Sequence, residues 1–201
     1  MNPSSTFIVG LHRAYCLNDI FQLDLKTMTW SCVTIENPPT YAARYSHTAT
    51  LAPGDRQILF IGGRNNEFDF YDQLACFDIE DKVWSIQATS NTPQGRSKHS
   101  ATLLGDKLYI FGGHNNDASH MNGLRILDIS TYKWYSVSIR DNMPPVLSHE
   151  AVILPSGMLP DEDSAHHFST PILIHGGFTS GNRESNLINV LHPVKSTFFL
   201  E

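Results

Sequence analysis

Residues 99–134 read HSATLLGDKLYIFGGHNNDASHMNGLRILDISTYKW and make up one complete structural unit. Two apolar-rich runs, 100–104 and 107–111, flank Gly105-Asp106, a two-residue turn signal between paired strands. The second run ends at Gly112-Gly113, where a side chain would obstruct a turn or a close backbone approach. After a polar loop, residues 124–129 and 133–139 predict a second strand pair around Ser130-Thr131-Tyr132.

The unit recurs upstream as RYSHTATLAPGDRQILFIGG (44–63), a loop, and LACFDIEDKVW (74–84). Gly62 to Gly112 and Trp84 to Trp134 are both 50 residues, and Gly63 to Trp84 and Gly113 to Trp134 are both 21. The first copy predicts strands near 47–51, 57–62, 74–79 and 83–87. Residues 1–33 match the end of a further copy: 6–10 for the run into the diglycine, 19–25 and 29–33 for the last two strands, and Trp30 for the tryptophan. Val9-Gly10 stands there in place of the diglycine.

A fourth copy is the least regular. Ser148-His149 aligns with Ser46-His47, although Val146-Leu147 occupies the place of the arginine. Strand-like runs at 150–154 and 171–177 flank an insertion, PSGMLPDEDSAHHFST (155–170). Gly176-Gly177 restores the diglycine, and Phe198 falls 21 residues after Gly177, where a tryptophan is due. Leu23, Phe77, Leu127 and Leu191 stand seven residues before each aromatic; Asp24, Asp78, Asp128 and, as the exception, His192 follow them.

Arg-x-x-His, the diglycine, the apolar-Asp pair and the tryptophan, repeating near 50 residues, resemble the kelch repeat. The resemblance implies an all-β, kelch-type β-propeller, with repeats about 1–35, 36–88, 89–140 and 141–201 forming one domain of antiparallel four-stranded blades. Radial stacking of such blades covers both sheet faces and leaves short edges. Trp30, Trp84 and Trp134 are then expected to pack between blades. Arg44, Arg96, His47 and His99 are expected to hydrogen-bond near the blade junctions, and Gly62, Gly63, Gly112, Gly113, Gly176 and Gly177 to end the second strands.

Counting strands leaves the first blade incomplete and implies a partial propeller. An open arc, a small four-bladed ring and a fragment completed by further repeats all meet that count. Open edges also invite self-association.

Composition narrows the function classes. With 41% hydrophobic and 17% charged residues the 201-residue chain reads as globular. A net charge of −6 gives no basic stripe for nucleic acid. No apolar run reaches the roughly 20 residues of a membrane span, and the N-terminus lacks the features of a signal peptide. Cys16, Cys32 and Cys76 form no CxxC pair, and Cys32 and Cys76 lie in strand-like runs as small hydrophobes. Reduced thiols and a cytoplasmic location are expected.

Loops carry function on a rigid scaffold, so residues 64–73, 114–123 and 178–186 are the candidate binding loops. They present Arg64, Phe68, Phe70, Tyr71, His114, His120, Met121 and Arg183, aromatic and cationic types that anchor interfaces. Asp161, Glu162, Asp163, His166 and His167 have metal-ligand chemistry, but their insertion implies no ordered geometry. Galactose oxidase, a copper enzyme with kelch-like blades, links a distant Tyr and Cys, whereas Tyr15 and Cys16 are neighbours here. Kelch specifier proteins hold iron with a compact acidic and histidine motif; 184–192 has Ile188 where an acid is wanted. No catalytic residue, metal or cofactor is expected. The leading expectation is therefore a non-enzymatic scaffold or adaptor that binds a protein; the alternative is a kelch-type metalloenzyme with its site in the central channel.

Overall fold

The computed structural model describes residues 5–8, 11–12, 15–36, 38–116, 121–137, 144–155, 170–179, 183–186 and 188–191, with side chains from Cys16 onward. The chain divides into two compact units, Met1–Ser97 and Lys98–Glu201.

The first unit begins with β1 (Ser5–Ile8), a short hairpin of β2 (Leu11–His12) and β3 (Tyr15–Cys16), β4 (Ile20–Asp24) and β5 (Thr29–Val33). Strands β1, β4 and β5 form one antiparallel sheet. A 3-10 turn at Thr40–Ala42 leads to β6 (Tyr45–Leu51), β7 (Gln57–Arg64), β8 (Leu74–Asp78) and β9 (Val83–Gln87), an antiparallel meander in chain order.

The second unit opens with the same meander, β10 (Ser100–Leu104), β11 (Lys107–Phe111), β12 (Leu124–Asp128) and β13 (Lys133–Val137). Then come β14 (Val146–Leu147), β15 (Glu150–Ile153), β16 (Ile172–His175), β17 (Phe178–Thr179), β18 (Arg183–Glu184) and β19 (Ile188–Leu191). Strands β15, β16 and β19 form one sheet, and β14, β17 and β18 a smaller one. The molecule is all-β in antiparallel blades, as the repeat pattern predicts. The expected fourth strand around Phe198, the Val9-Gly10 position and the insertion at 156–169 lie outside the described residues.

The apolar-Asp pair has a local cause. In the three repeats that carry it, the aspartate folds over the turn that follows and accepts its backbone amides, an Asx turn. Asp24 Oδ1 accepts from Lys26 N (2.8 Å) and Thr27 N (3.1 Å). Asp78 Oδ1 accepts from Glu80 N and Asp81 N, both at 3.0 Å. Asp128 Oδ1 accepts from Ser130 N (3.0 Å) and Thr131 N (3.3 Å). The fourth residue after each aspartate, Met28, Lys82 or Tyr132, has φ between 52° and 57°, the left-handed region.

The diglycine joins segments distant in sequence. Gly63 N donates to Arg96 O (2.8 Å), and Gly63 O accepts from Tyr71 N (3.0 Å). Gly113 repeats both bonds, donating to Val146 O (2.8 Å) and accepting from Met121 N (2.9 Å). Gly177 O accepts from Ser185 N at 2.8 Å. Gly63 has φ 82°, and a Cβ there would meet His47 Cβ at 2.8 Å and Tyr45 O at 2.9 Å. In the first meander the glycines do not end the strand: β7 runs through them to Arg64.

Each unit has its own core. In the first, Ile20 clusters with Ile58, Phe60, Ala75, Phe77 and Trp84, and Val33 and Ile35 pack against them. Trp84 lies 4.7 Å from the Phe60 ring and 5.3 Å from the Phe77 ring, measured between centroids. In the second, Phe111, Leu124 and Ile126 meet Ile172 and Ile174, joined by Val137 and Leu191. Trp84 and Trp134 are buried, but Trp30 is 48% exposed. Its expected burial does not occur because β4 and β5 turn Ile20 and Val33 into the core, leaving Trp30, Phe21 and Cys32 on the opposite face. For the same reason Cys32 is exposed, whereas Cys76 is buried.

Two core histidines are held neutral. Burial, with the Arg44 charge adding to it, pushes His47 down to about 4. Burial alone does the same to His149, whose Nε2 lies 2.8 Å from Ser100 Oγ.

Two outcomes follow for stability. Gly63→Ala combines a left-handed φ with overpacking against His47 and should cost about 2–4 kcal/mol in urea unfolding, whereas exposed Lys82→Gly should gain about 0.5–1 kcal/mol. Below pH 6.5, the ordinary histidine value, the unfolded chain binds protons at His47 and His149 that the folded chain refuses. Unfolding free energy should therefore be full above that pH and fall toward pH 4, by up to about 3 kcal/mol per histidine. A stability profile that stays flat between pH 7 and pH 5 would contradict this.

Candidate functional site

The loop that follows β7 is shaped by one asparagine. Asn65 Oδ1 accepts from Glu67 N and Asp69 N, both at 2.9 Å, and Asn65 Nδ2 donates to Asp69 Oδ2 at 3.0 Å. Phe68 takes φ 66° at the tip and is 58% exposed. Tyr71 N then returns the chain to Gly63 O. Folded this way, the loop places two aromatic rings around the last residue of β7.

That residue is Arg64. Its guanidinium carbon lies 4.7 Å from the Phe68 ring centroid, 4.9 Å from Tyr45 and 5.8 Å from Phe70. Cation–π contacts of this kind hold a guanidinium flat and leave its edge donors free. Its Nε is buried without a hydrogen-bond partner, and no acid pairs with it among the described residues. Glu67, Asp69 and Asp72 lie on the same loop, where the Asp69 carboxylate is held by Asn65. Cys16 adds a further contact, its Sγ 3.0 Å from Asn66 Oδ1 and 3.7 Å from Arg64 O. Burial raises the Cys16 thiol, with the Arg64 charge opposing it.

Arg44, twenty residues earlier, is wholly different. It is fully buried, with Nη1 donating to Gly62 O (3.0 Å) and Nε and Nη2 to Tyr41 O (3.2 and 2.6 Å). The Tyr71 ring covers it at 4.4 Å. Burial lowers Arg44 to about 10, so it stays protonated at neutral pH.

The candidate loop residues therefore separate. Arg64, Phe68 and Phe70 come together. Tyr71, expected to be exposed, is partly buried because it caps Arg44, and its hydroxyl donates to Ala43 O at 3.4 Å. His114 and Met121 are also partly buried, Met121 being tied to Gly113 and accepting from Val146 N (3.3 Å). Arg183 is exposed on β18, opposite Thr179. His120 and the acidic, histidine-containing insertion lie outside the described residues. Tyr45, Asn65, Cys16 and Asn66 were not legible as site residues; the only signal was the polar Asn65-Asn66 pair at a turn.

Among the described residues no group of three or more His, Cys, Asp or Glu is placed to hold a metal ion. No helix among them is long and apolar enough to cross a membrane.

Comparison with known proteins agrees with the blades. Residues 2–198 match the family model described as the KLHDC2/KLHL20/DRC7 Kelch-repeats domain. The chain is 34% identical over 176 residues to Acyl-CoA-binding domain-containing protein 5 of Arabidopsis thaliana, an alignment covering 84% of this chain and 25% of that protein. It is 33% identical over 139 residues to Kelch domain-containing protein 3 of Mus musculus, covering 63% and 35%. To the Dynein alpha chain, flagellar outer arm, of Chlamydomonas reinhardtii it is 28% identical over 174 residues, covering 82% and 4%. The chain thus spans about a quarter of the length of the first of these relatives. With a family model matched across nearly its whole length and the repeat geometry described above, the chain belongs to the kelch-repeat family.

Proposed function

We propose that this chain is a non-catalytic protein-interaction scaffold, its four repeats acting as one domain that presents loop residues to a partner protein. The observation that carries this reading is the Arg64 arrangement. A guanidinium stacked among three aromatic rings, with no described acid on it, is preorganised to accept an oxygen ligand at little entropic cost. The exposed Phe68 beside it supplies apolar contact area. Arginine and aromatic side chains of this kind carry disproportionate binding energy at protein interfaces. The cytoplasm is the location that fits, supported by three unpaired cysteines.

Selection of a displayed random-peptide library on the full chain tests this reading. Peptides should enrich on the wild type, and their affinity should fall roughly tenfold or more for Arg64→Ala and for Phe68→Ala. Arg64→Lys should recover only part of the loss, because an ammonium keeps the charge without the planar fork. Absence of any enriched peptide, or enrichment indifferent to all three substitutions, would overturn the proposal.

A further inference from the structure

The sequence holds a single Asn-Gly dipeptide, Asn122-Gly123, at the end of the loop that leads into β12. Asn122 is exposed, and residues 121–123 lie outside any strand. Glycine there removes the Cβ that would keep the asparagine side chain away from the amide that follows it. Asparagine side chains reach neighbouring backbone groups readily where the chain is not held in a ladder. Among the described residues, Gly123 N donates to no backbone carbonyl.

The Arg125 guanidinium lies against this glycine. A Cβ at Gly123 would stand 3.3 Å from Arg125 Nη1, 3.8 Å from Cζ and 3.9 Å from Nη2. Nη1 also donates to Leu124 O at 3.1 Å. A cation beside an amide favours negative charge on its nitrogen. Asn65 is the contrast within the same chain. Its Oδ1 accepts from Glu67 N and Asp69 N, and its Nδ2 donates to Asp69, so its side chain is committed.

We infer that Asn122-Gly123 is a self-modification site, whose reaction turns Asn122 into aspartate or isoaspartate and strains the joint at Gly113. Base in solution removes the Gly123 amide proton, and the nitrogen attacks Asn122 Cγ. The N–Cγ bond forms, the Cγ–Nδ2 bond breaks, and Nδ2 takes up a proton and leaves as ammonia. The attack closes a small ring within one dipeptide, so little entropy opposes it. Water then opens the cyclic imide. Hydrolysis at Cγ gives aspartate; hydrolysis at the main-chain carbonyl gives isoaspartate, with the backbone rerouted through Cγ. Water is gained and ammonia lost, and nothing is oxidised or reduced.

Isoaspartate lengthens the backbone where both flanks are fixed. On one side Met121 N donates to Gly113 O (2.9 Å), and Met121 O accepts from Val146 N (3.3 Å). On the other, Leu124 is buried among Phe111, Ile126 and Ile172. Aspartate keeps the chain length and only adds a carboxylate. The site is separate from the Arg64 loop and does not depend on its reading.

Peptide mapping by mass spectrometry of the full chain, incubated in mildly alkaline buffer, tests the inference. Residue 122 should gain the mass difference between an amide and an acid, with isoaspartate distinguished by fragmentation, while Asn65 stays unmodified. In Gly123→Ala the new Cβ meets only the Arg125 side chain, so the variant should fold, and modification should be largely lost over the same time. Arg125→Gln should slow the reaction about fivefold, the effect of one charge at about 4 Å in water. The isoaspartate form, separated by chromatography, should unfold at lower urea than the Asn122→Asp variant. An Asn122 that stays unmodified, an unchanged rate in Gly123→Ala or Arg125→Gln, or an isoaspartate form as stable as Asn122→Asp would each overturn the inference.

Discussion

The second glycine of each diglycine is the joint on which the blades depend. Gly63 and Gly113 each send an amide across to the segment that leads into the next repeat, and each receives an amide from the loop eight residues on. One residue therefore ties its own strand to the return of its loop and to the segment that leads into the next repeat. At Gly63 the chain also lies closer to His47 and Tyr45 than a Cβ would allow. A β-sheet edge cannot otherwise bring three backbone segments together without leaving buried polar groups unpaired.

Around that joint the repeat tolerates strain where turns demand it. The left-handed residues Met28, Lys82 and Tyr132 occupy equivalent places in three hairpins, as do Ser46, Lys98 and Ser148 before three histidines. Their recurrence shows that geometry is conserved within the chain while residue identity is free. The Asx turns offset part of the cost, since each aspartate satisfies two turn amides that the hairpin leaves without a strand partner. Two of these aspartates also hold a cation: Arg56 Nε lies 2.6 Å from Asp78 Oδ2, and Lys107 Nζ 3.1 Å from Asp128 Oδ2. Arg56 is half exposed, so that ion pair adds little beyond the turn itself.

The two arginines flanking the first diglycine divide structure from recognition. Arg44 is enclosed, its donors on backbone carbonyls and its face under Tyr71, so its charge stabilises the junction and is closed to any partner. Arg64, at the same end of that strand pair and opposite Tyr45, is stacked on aromatic rings with its donors uncommitted among the described residues. Proximity to the diglycine is common to both. Burial and the available acceptors make one an internal brace and the other a candidate contact.

Strand positions, hairpin turns and the repeat period were legible because alternation, Gly-Asp turns and Asx chemistry act over a few residues, and a 50-residue recurrence lets one copy check another. The two four-stranded meanders accordingly match their expected strands within two residues at nearly every boundary. The loop after β7 was legible only in part: Arg64, Phe68 and Phe70 share a short segment, but Tyr45 reaches them from another strand and Tyr71 turns inward to Arg44. Trp30 carries the same sequence signature as Trp84 and Trp134, yet lies open to solvent. By itself, then, the sequence determined the blades, the turns and the glycine joints. Only tertiary structure decided which tryptophan is covered and which arginine is free, because a side chain's environment is set by the sheet that packs against it and not by its place in the repeat.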